Sequence, residues 1–440
     1  MSRSSSRPAV PRAARLAAIV AGALLLLAAC GAGPTTTPAP TPSPSATPAP
    51  ATAPPTPSAT PAPSDDLAAL YREIEDQVIA ERGLEAKERR DPVVLSEEEL
   101  RVRIEEQFRA ENPPEEIAVA QETLQALGLL PADADLEQLY VDMLSSQVAG
   151  FYDPETKELY VVSRSGSIGA TEEVTYAHEF THALQDQHFG LEGIDVDAVG
   201  QGDRSLGRLG LVEGDATLLM TRWMVSNLTP AELQELLEVD PDDLAQLEAL
   251  PAILRETLLF PYQQGGVFAN GVWMAGGWEA IDRAYERLPD STEQILHPEK
   301  YEAAEKPVAV DLDGAALAAA MGAGWSGTPE DTFGEFQISI WLRENGVRAL
   351  DAQRAAAGWG GDRLAYLRGP DGAYALVWRT AWDSAAEASE FQQAAGTVVG
   401  DGDMPGTVGV TSAREVVVVL ASDGDALNRA VDAADLNLPD

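Results

Sequence analysis

Between residues 31 and 64 the chain carries no charged side chain, and 12 of these 34 residues are proline. Threonine, serine and alanine fill most of the other positions. Such a segment has too few apolar side chains to bury a core, and its proline content favours extended polyproline II backbone. At about 3.1 Å per residue it could extend over roughly 100 Å. We therefore predict that residues 30–64 form a disordered tether and that the folded part of the chain begins at Asp65.

Residues 1–29 have the organisation of a secretory signal peptide. Four arginines precede an apolar run from Leu16 to Ala29, which is short for a transmembrane helix. The run ends in Leu-Ala-Ala-Cys and resembles the bacterial lipobox, in which the cysteine becomes the lipid-modified first residue of the mature chain. Cys30 is thus predicted to anchor the protein to a membrane of the bacterial cell envelope, outside the cytoplasm. The alternative is an ordinary signal peptide with an incidental cysteine.

The charge balance and the rarity of two residue types limit the possible chemistry. Acidic residues outnumber basic ones by 71 to 30, for a net charge of −41. Because nucleic-acid binding requires basic side chains that neutralise phosphates, we predict no nucleic-acid partner. With one cysteine in the whole chain, a disulfide within the chain is impossible. Only four histidines are present, so their positions largely decide whether a metal site exists.

The rest of the chain predicts an α+β fold. The residues around Asp153-Pro154-Glu155-Thr156 predict a β-hairpin over 148–163. Strands over 363–369, 373–382 and 415–421, with helices over 384–395 and 424–435, predict a small C-terminal α/β domain. We place domains at 65–310 and 311–440. Further helices are predicted over 66–82, 96–110, 114–128, 135–147, 172–188, 203–225, 230–246, 267–287 and 329–345.

The strongest motif lies on the helix that follows the hairpin. His178 and His182 are four residues apart and share one helical face, so both imidazoles can reach one metal ion. Glu179 points to the neighbouring edge of that face, where it can reach a water at the metal without ligating the ion. Two histidines and a glutamate at this spacing are the arrangement of zinc metallopeptidases, with the glutamate as general base.

Two residues compete to be the third ligand. His188 gives a spacing that resembles the metzincins, but in that family a glycine breaks the helix where this chain has Gln185. If the helix continues, His188 lies about 9 Å along the axis from His182 and about 240° around it, out of reach of the same ion. The competitor is Glu213, which lies in a mostly apolar segment and is followed by Gly-Asp-Ala. A buried carboxylate requires a cation.

The Glu213 segment resembles the gluzincins, the thermolysin-like zinc peptidases, in which a glutamate on a second helix completes a His-His-Glu zinc site. The resemblance implies a mainly helical zincin-like domain over 65–310 that binds Zn²⁺ through His178, His182 and Glu213. Asp215 could orient a ligand histidine, although the family's aspartate commonly lies one turn after the glutamate, where this chain has Thr217. Gly207, Gly210 and Gly214 weaken this helix, and we expect them to allow its close approach to the metal helix.

The same resemblance implies a hydrogen-bond donor for the tetrahedral oxyanion, for which His297 and Tyr262 are the candidates. It also implies that the peptide binds in extended form along an edge strand. Either Gly150–Tyr152 or Leu159–Val161 could supply that strand.

We therefore predict a membrane-anchored, extracytoplasmic zinc endopeptidase that acts on a peptide or protein substrate. The alternatives are a non-catalytic envelope lipoprotein that uses a zincin-like fold for binding or scaffolding, and a zinc hydrolase of cell-wall amides. Residues 65–130 could be an autoinhibitory helical region or part of the catalytic fold.

Overall fold

The computed structural model describes residues 65–147, 150–162, 169–198, 200–238, 241–402 and 405–436. The fold is of the α+β class, as predicted, and contains two small sheets. The predicted signal peptide, the lipidation site at Cys30 and the tether lie outside the described residues. Among the residues described, no helix is both long enough and apolar enough to cross a membrane.

Four helices and one short strand precede the hairpin. The elements are α1 (Asp65–Arg82), β1 (Val93–Leu95), α2 (Glu97–Glu111), α3 (Pro114–Ala126) and α4 (Leu136–Gln147). Helix α2 begins with a capping box, in which Ser96 and Glu99 satisfy each other's backbone N–H groups. The four helices bury apolar side chains toward the rest of the fold, among them Ile74 of α1 and Phe108 of α2.

The predicted hairpin is present as β2 (Gly150–Asp153) and β3 (Glu158–Val162). Strand β3 lies in the middle of a three-stranded sheet, with β2 antiparallel on one side and β1 parallel on the other. Strand β2 is therefore an edge of this sheet. Of the two segments proposed for substrate pairing, only Gly150–Tyr152 lies at an edge.

Five helices follow the hairpin: α5 (Ala170–Phe189), α6 (Gly202–Asn227), α7 (Pro230–Leu236), α8 (Pro241–Ala249) and α9 (Ala252–Glu286). The single helix predicted over 230–246 is wrong, because Pro241 begins a second helix there. The prediction of a helix beginning at 267 is also wrong, because α9 begins 15 residues earlier and contains Pro261. Gly276 and Gly277 kink α9 near its end.

Helices α6 and α9 cross with almost no side chain between them. A Cβ atom on Gly214 would lie 2.2 Å from the backbone oxygen of Gly265, and one on Gly265 would lie 2.2 Å from that of Gly210. A Cβ on Gly207 would meet the backbone of Ser291 instead. The glycines of α6 thus allow close approach to α9 and to the segment at Ser291, and our expectation that they face the metal helix is wrong.

The α-helices and strands of the C-terminal part are, in chain order, α10 (Thr292–Leu296), α11 (Pro298–Glu302), α12 (Gly314–Met321), β4 (Ser326–Gly327), α13 (Gly334–Glu344), α14 (Ala349–Ala356), β5 (Trp359–Arg368), β6 (Tyr374–Trp382), α15 (Ala385–Asp401), β7 (Gly406–Ser412), β8 (Glu415–Ala421) and α16 (Gly424–Ala433). The strands form an antiparallel five-stranded sheet of order β4-β5-β6-β8-β7. The sequence pattern did not predict β7, in which Gly409 is the one buried residue.

One hydrophobic core contains residues from both sides of the predicted domain boundary at residue 310. It joins Leu100 and Phe108 of α2 to Trp341 of α13 and Trp378 of β6. A second cluster packs Ile74 of α1 with Leu184 of α5 and residues of α6. The N-terminal helices therefore pack against both the metal-motif helix and the C-terminal sheet.

The close crossing of α6 and α9 at Gly214 and Gly265 predicts that two substitutions on α9 change the free energy of unfolding in opposite directions. Gly265→Ala should lower the free energy of unfolding by about 1–3 kcal/mol, because its Cβ would overlap the backbone of α6. Gly271→Ala meets no atom within 4 Å and should raise it by about 0.4–1 kcal/mol through lower chain entropy of the unfolded state. Denaturant unfolding of both variants measures this, and equal effects would contradict the crossing.

Candidate metal centre

The metal motif lies in the buried middle of α5. The helix runs without a break from Ala170 to Phe189 and ends where Gly190 adopts the left-handed conformation, at φ 72°. His178 and Glu179 have no exposed surface, and His182 is 3 % exposed. These polar groups therefore depend on one another, or on a bound ion, for their stabilisation.

Three side chains converge on one point. The Nε2 atoms of His178 and His182 are 3.1 Å apart, and they lie 3.2 and 3.4 Å from Oε2 of Glu213 on α6. A tetrahedral zinc ion with ligand distances of about 2.0–2.1 Å would separate its ligands by about 3.3 Å. The two histidines and the glutamate are thus spaced like three corners of a zinc tetrahedron.

Charge and hydrogen bonding also fit a divalent cation. Burial opposes ionisation of Glu213, but His182 and His178 beside it hold the pKa of this carboxyl below its usual range. Oε1 of Glu213 is buried with no hydrogen-bond partner among the described residues. An anionic carboxylate with an unsatisfied oxygen, facing two imidazoles, is a costly arrangement without a cation. The donor set of two nitrogens and one oxygen suits zinc.

Glu179 is fixed at the edge of this cluster. Its Oε2 accepts a hydrogen bond of 3.0 Å from the backbone N–H of Tyr152, on edge strand β2. Its Oε1 is buried and has no partner in the described part of the chain. Burial raises the pKa of Glu179 well above its usual range, although the nearby His182 opposes the shift. One oxygen thus holds the side chain in place while the other is left to accept a proton.

The side of His182 that faces away from the cluster contacts Gln185. Nδ1 of His182 lies 2.8 Å from Oε1 of Gln185. The amide nitrogen of Gln185 donates to the carbonyl of Val212 and to Oδ2 of Asp215, each at 3.0 Å. Asp215 therefore contacts His182 only indirectly, through Gln185. The direct contact between Asp215 and a ligand histidine that we expected is not seen.

Asp215 is itself part of a buried ion pair. Arg82, from the last turn of α1, donates from Nε and Nη2 at 3.0 and 3.1 Å. The hydroxyl of Tyr285, on α9, donates at 2.9 Å. Both side chains of the ion pair are fully buried. No local sequence pattern predicts these contacts, because Arg82 and Asp215 are 133 residues apart.

Two further side chains of the hairpin contact the metal-motif helix α5, both through Asp186. The Tyr152 hydroxyl donates to Asp186 at 2.7 Å, and Lys157 pairs with the same carboxylate at 2.8 Å. Gly150 lets the strand lie close to α5, because a Cβ there would be 3.0 Å from the side chain of Thr175. These contacts hold the free edge of β2 beside the metal motif.

Two cavities meet at Tyr152. The smaller one, of about 50 Å³, is mostly apolar and is lined by His182, Leu191, Leu209 and Val212. The larger one, of about 470 Å³, is also lined by Tyr152 and includes no ligand side chain. The metal cluster borders the smaller cavity through His182.

The other histidines have different surroundings. His188, at the end of the unbroken helix, bonds to the backbone oxygen of Glu85 at 2.8 Å. His297 bonds to Glu335 at 2.9 Å, and this contact raises its pKa. Neither partner belongs to the metal cluster. The structure thus brings His178, His182 and Glu213 together and gives His188 and His297 other partners.

Of the two candidates for an oxyanion donor, Tyr262 lies at the cluster. Its ring centroid is 6.1 Å from that of His178, and its side chain is buried. The position follows from the start of α9 near Pro251, which carries Tyr262 over the metal helix.

A second acidic group, formed by Glu293, Glu305 and Asp383, has oxygens close enough to hold an ion. Lys300 occupies its centre, with its ammonium nitrogen 2.5–2.9 Å from all three carboxylates. These ion pairs connect α10 to the start of α15, and Lys300 neutralises part of the negative charge of the three carboxylates.

We expect the ligand set to decide metal content. Wild-type protein should hold one zinc ion per chain, and Glu213→Ala should lose it, because two imidazoles alone leave the tetrahedron incomplete. His188→Ala should keep it, since this ring contacts only a backbone carbonyl in the described structure. Elemental analysis after dialysis measures both. Zinc retained by Glu213→Ala but lost from His188→Ala would favour the metzincin ligand set.

Comparison with known families informs only the C-terminal part. Residues 322–435 match a family described as "Domain of unknown function (DUF8575)". No curated protein and no solved structure matches the chain. The matched region contains the five-stranded sheet and helices α13–α16, and the metal cluster lies outside it.

Proposed function

We propose that this protein is a zinc-dependent endopeptidase. The observation that carries the proposal is the convergence of His178, His182 and Glu213 within 3.4 Å of one another, beside a glutamate with an unpaired oxygen. That combination supplies three ligands, leaves a fourth position open and places a base next to it.

When bound, zinc would supply Lewis-acid chemistry, polarising a carbonyl group and acidifying water. Glu179 accepts a proton from the attacking water at Oε1 while Oε2 stays bonded to the N–H of Tyr152. The same oxygen then delivers that proton to the nitrogen of the leaving amine as the C–N bond breaks. The hydrogen bond from Tyr152 keeps the carboxylate from rotating away during both transfers.

The substrate is proposed to lie as an extended strand along β2. Strand β2 pairs with β3 on one side only in the described sheet, and its other side faces α5. Backbone pairing at a free edge recognises extended peptides with little dependence on sequence. The apolar cavity formed by Leu191, Leu209 and Val212 lies next to His182 and could receive one side chain of the substrate.

The central experiment compares the wild-type chain with Glu179→Gln, using an unfolded casein-type protein as substrate. Glu179→Gln should keep its zinc, because Glu179 is not a ligand, and should lose activity by about 10²–10⁴-fold, as expected for loss of a general base. Glu173→Gln, on the same helix but outside the cluster, is the matched control. Metal binding without hydrolysis of any peptide would favour a hydrolase of other amides or a scaffolding protein, and a chain without metal would end the enzyme proposal.

A second experiment decides between the two proposed oxyanion donors. Tyr262→Phe should lower kcat by about 10²–10³-fold with zinc content unchanged, as expected for removal of one donor. His297→Gln should leave kcat near the wild-type value, because this ring is paired with Glu335. Steady-state kinetics on both variants tests the assignment, and the reverse pattern would return the role to His297.

A further inference from the structure

We propose that Gln185 is a positioning residue that fixes the tautomer of His182, and that it does so because Arg82 of helix α1 holds Asp215 in place. The inference rests on the proposed zinc site but concerns residues that are not ligands. It makes the first helix of the folded region a structural part of the metal centre.

The first step is the orientation of the Gln185 amide. Its nitrogen contacts the carbonyl of Val212 and the carboxylate of Asp215, and both groups accept hydrogen bonds. If the amide were flipped, its oxygen would lie against these two oxygens with no hydrogen between them, which is unfavourable in a buried place. The amide oxygen must therefore face Nδ1 of His182, at 2.8 Å.

The second step is the tautomer of His182. An amide oxygen is only an acceptor, so Nδ1 must carry the hydrogen. In a neutral imidazole with hydrogen on Nδ1, the lone pair is on Nε2, and this atom points to His178 and Glu213. The hydrogen bond from Nδ1 of His182 to Gln185 thus leaves the lone pair of Nε2 directed at the proposed metal position, as a metal ligand requires.

The third step is the position of the Asp215 carboxylate. This fully buried group accepts two hydrogen bonds from the Arg82 guanidinium and one from Tyr285. The paired guanidinium compensates the cost of burying the carboxylate. Without these contacts the carboxylate would no longer be held toward Gln185, and the amide nitrogen would lose one of its two acceptors.

The fourth step concerns α1. Besides Arg82, this helix supplies Glu75, which accepts from the Tyr176 hydroxyl of α5, and Gln77, which accepts from Trp223 of α6. Trp278 of α9 also lies 4.7 Å from the Arg82 guanidinium, as a cation–π contact. These contacts favour an integral role for α1 in the catalytic fold over a removable inhibitory role.

The test uses the full chain and three variants. Gln185→Leu removes both halves of the amide bridge. Gln185→Glu, as the neutral acid, keeps an oxygen that can face His182 and an O–H that can donate to Asp215. Gln187→Leu is the matched control: this residue lies two positions later on the same helix, is half-buried, and bonds to Lys87 and Glu88 outside the cluster. Zinc affinity is measured by competition with a chelator, and ring tautomers by ¹⁵N NMR, where the chain's four histidines keep the spectrum simple.

We expect Gln185→Leu to bind zinc about 10–100-fold more weakly and to lose the protected Nδ1–H signal of His182. Gln185→Glu should retain that signal and most of the affinity, and Gln187→Leu should match the wild type. A folded Gln185→Leu with unchanged zinc affinity and an unchanged tautomer would overturn the inference. If the wild type binds no zinc, the proposed function fails, while loss of the protected Nδ1–H signal in Gln185→Leu still tests the hydrogen bond from His182 to Gln185.

Discussion

A buried carboxylate packed against two imidazoles is the constraint on which the rest of the structure depends. Glu213, His178 and His182 have almost no exposed surface, so their polar atoms must be satisfied by each other, by the protein or by a cation. The protein satisfies only some of them. Oε1 of Glu213 and Nδ1 of His178 have no partner among the described residues. Unpaired buried atoms of this kind are costly for stability, and the proposed zinc ion would compensate that cost.

The surrounding elements each fix one part of this arrangement. The crossing of α6 and α9 at Gly214 and Gly265 sets the depth at which Glu213 lies. The hairpin fixes the general-base candidate through the N–H of Tyr152. Helix α1 contributes a buried guanidinium behind the second histidine. Buried ion pairs of this kind add little net stability, since desolvation offsets most of the attraction, but they specify geometry when every partner is satisfied.

The parts of this site that depend on local spacing could be predicted from the sequence. The four-residue spacing of His178 and His182 and the apolar surroundings of Glu213 are visible in one helical turn each, and the α+β class followed from periodicity. Contacts between distant segments could not be predicted. Arg82 carries no local indication of its pairing with Asp215, and the parallel pairing of β1 with β3 joins segments about 65 residues apart. The glycines of α6 were recognised as unusual, but which helix they face depends on packing.

The continuous core has a consequence for the order in which the molecule is assembled. Leu100 and Phe108 pack with Trp341 and Trp378, and the partners of Asp215 come from both α1 and α9. Neither set of contacts can form until its most distant member has been synthesised, and such long-range contacts form slowly because a long loop must close first. The surroundings of Asp215 are therefore completed late, after α1, α6 and α9 have packed together. Under the proposed function, a chain in which these helices have not yet packed together would have no activity.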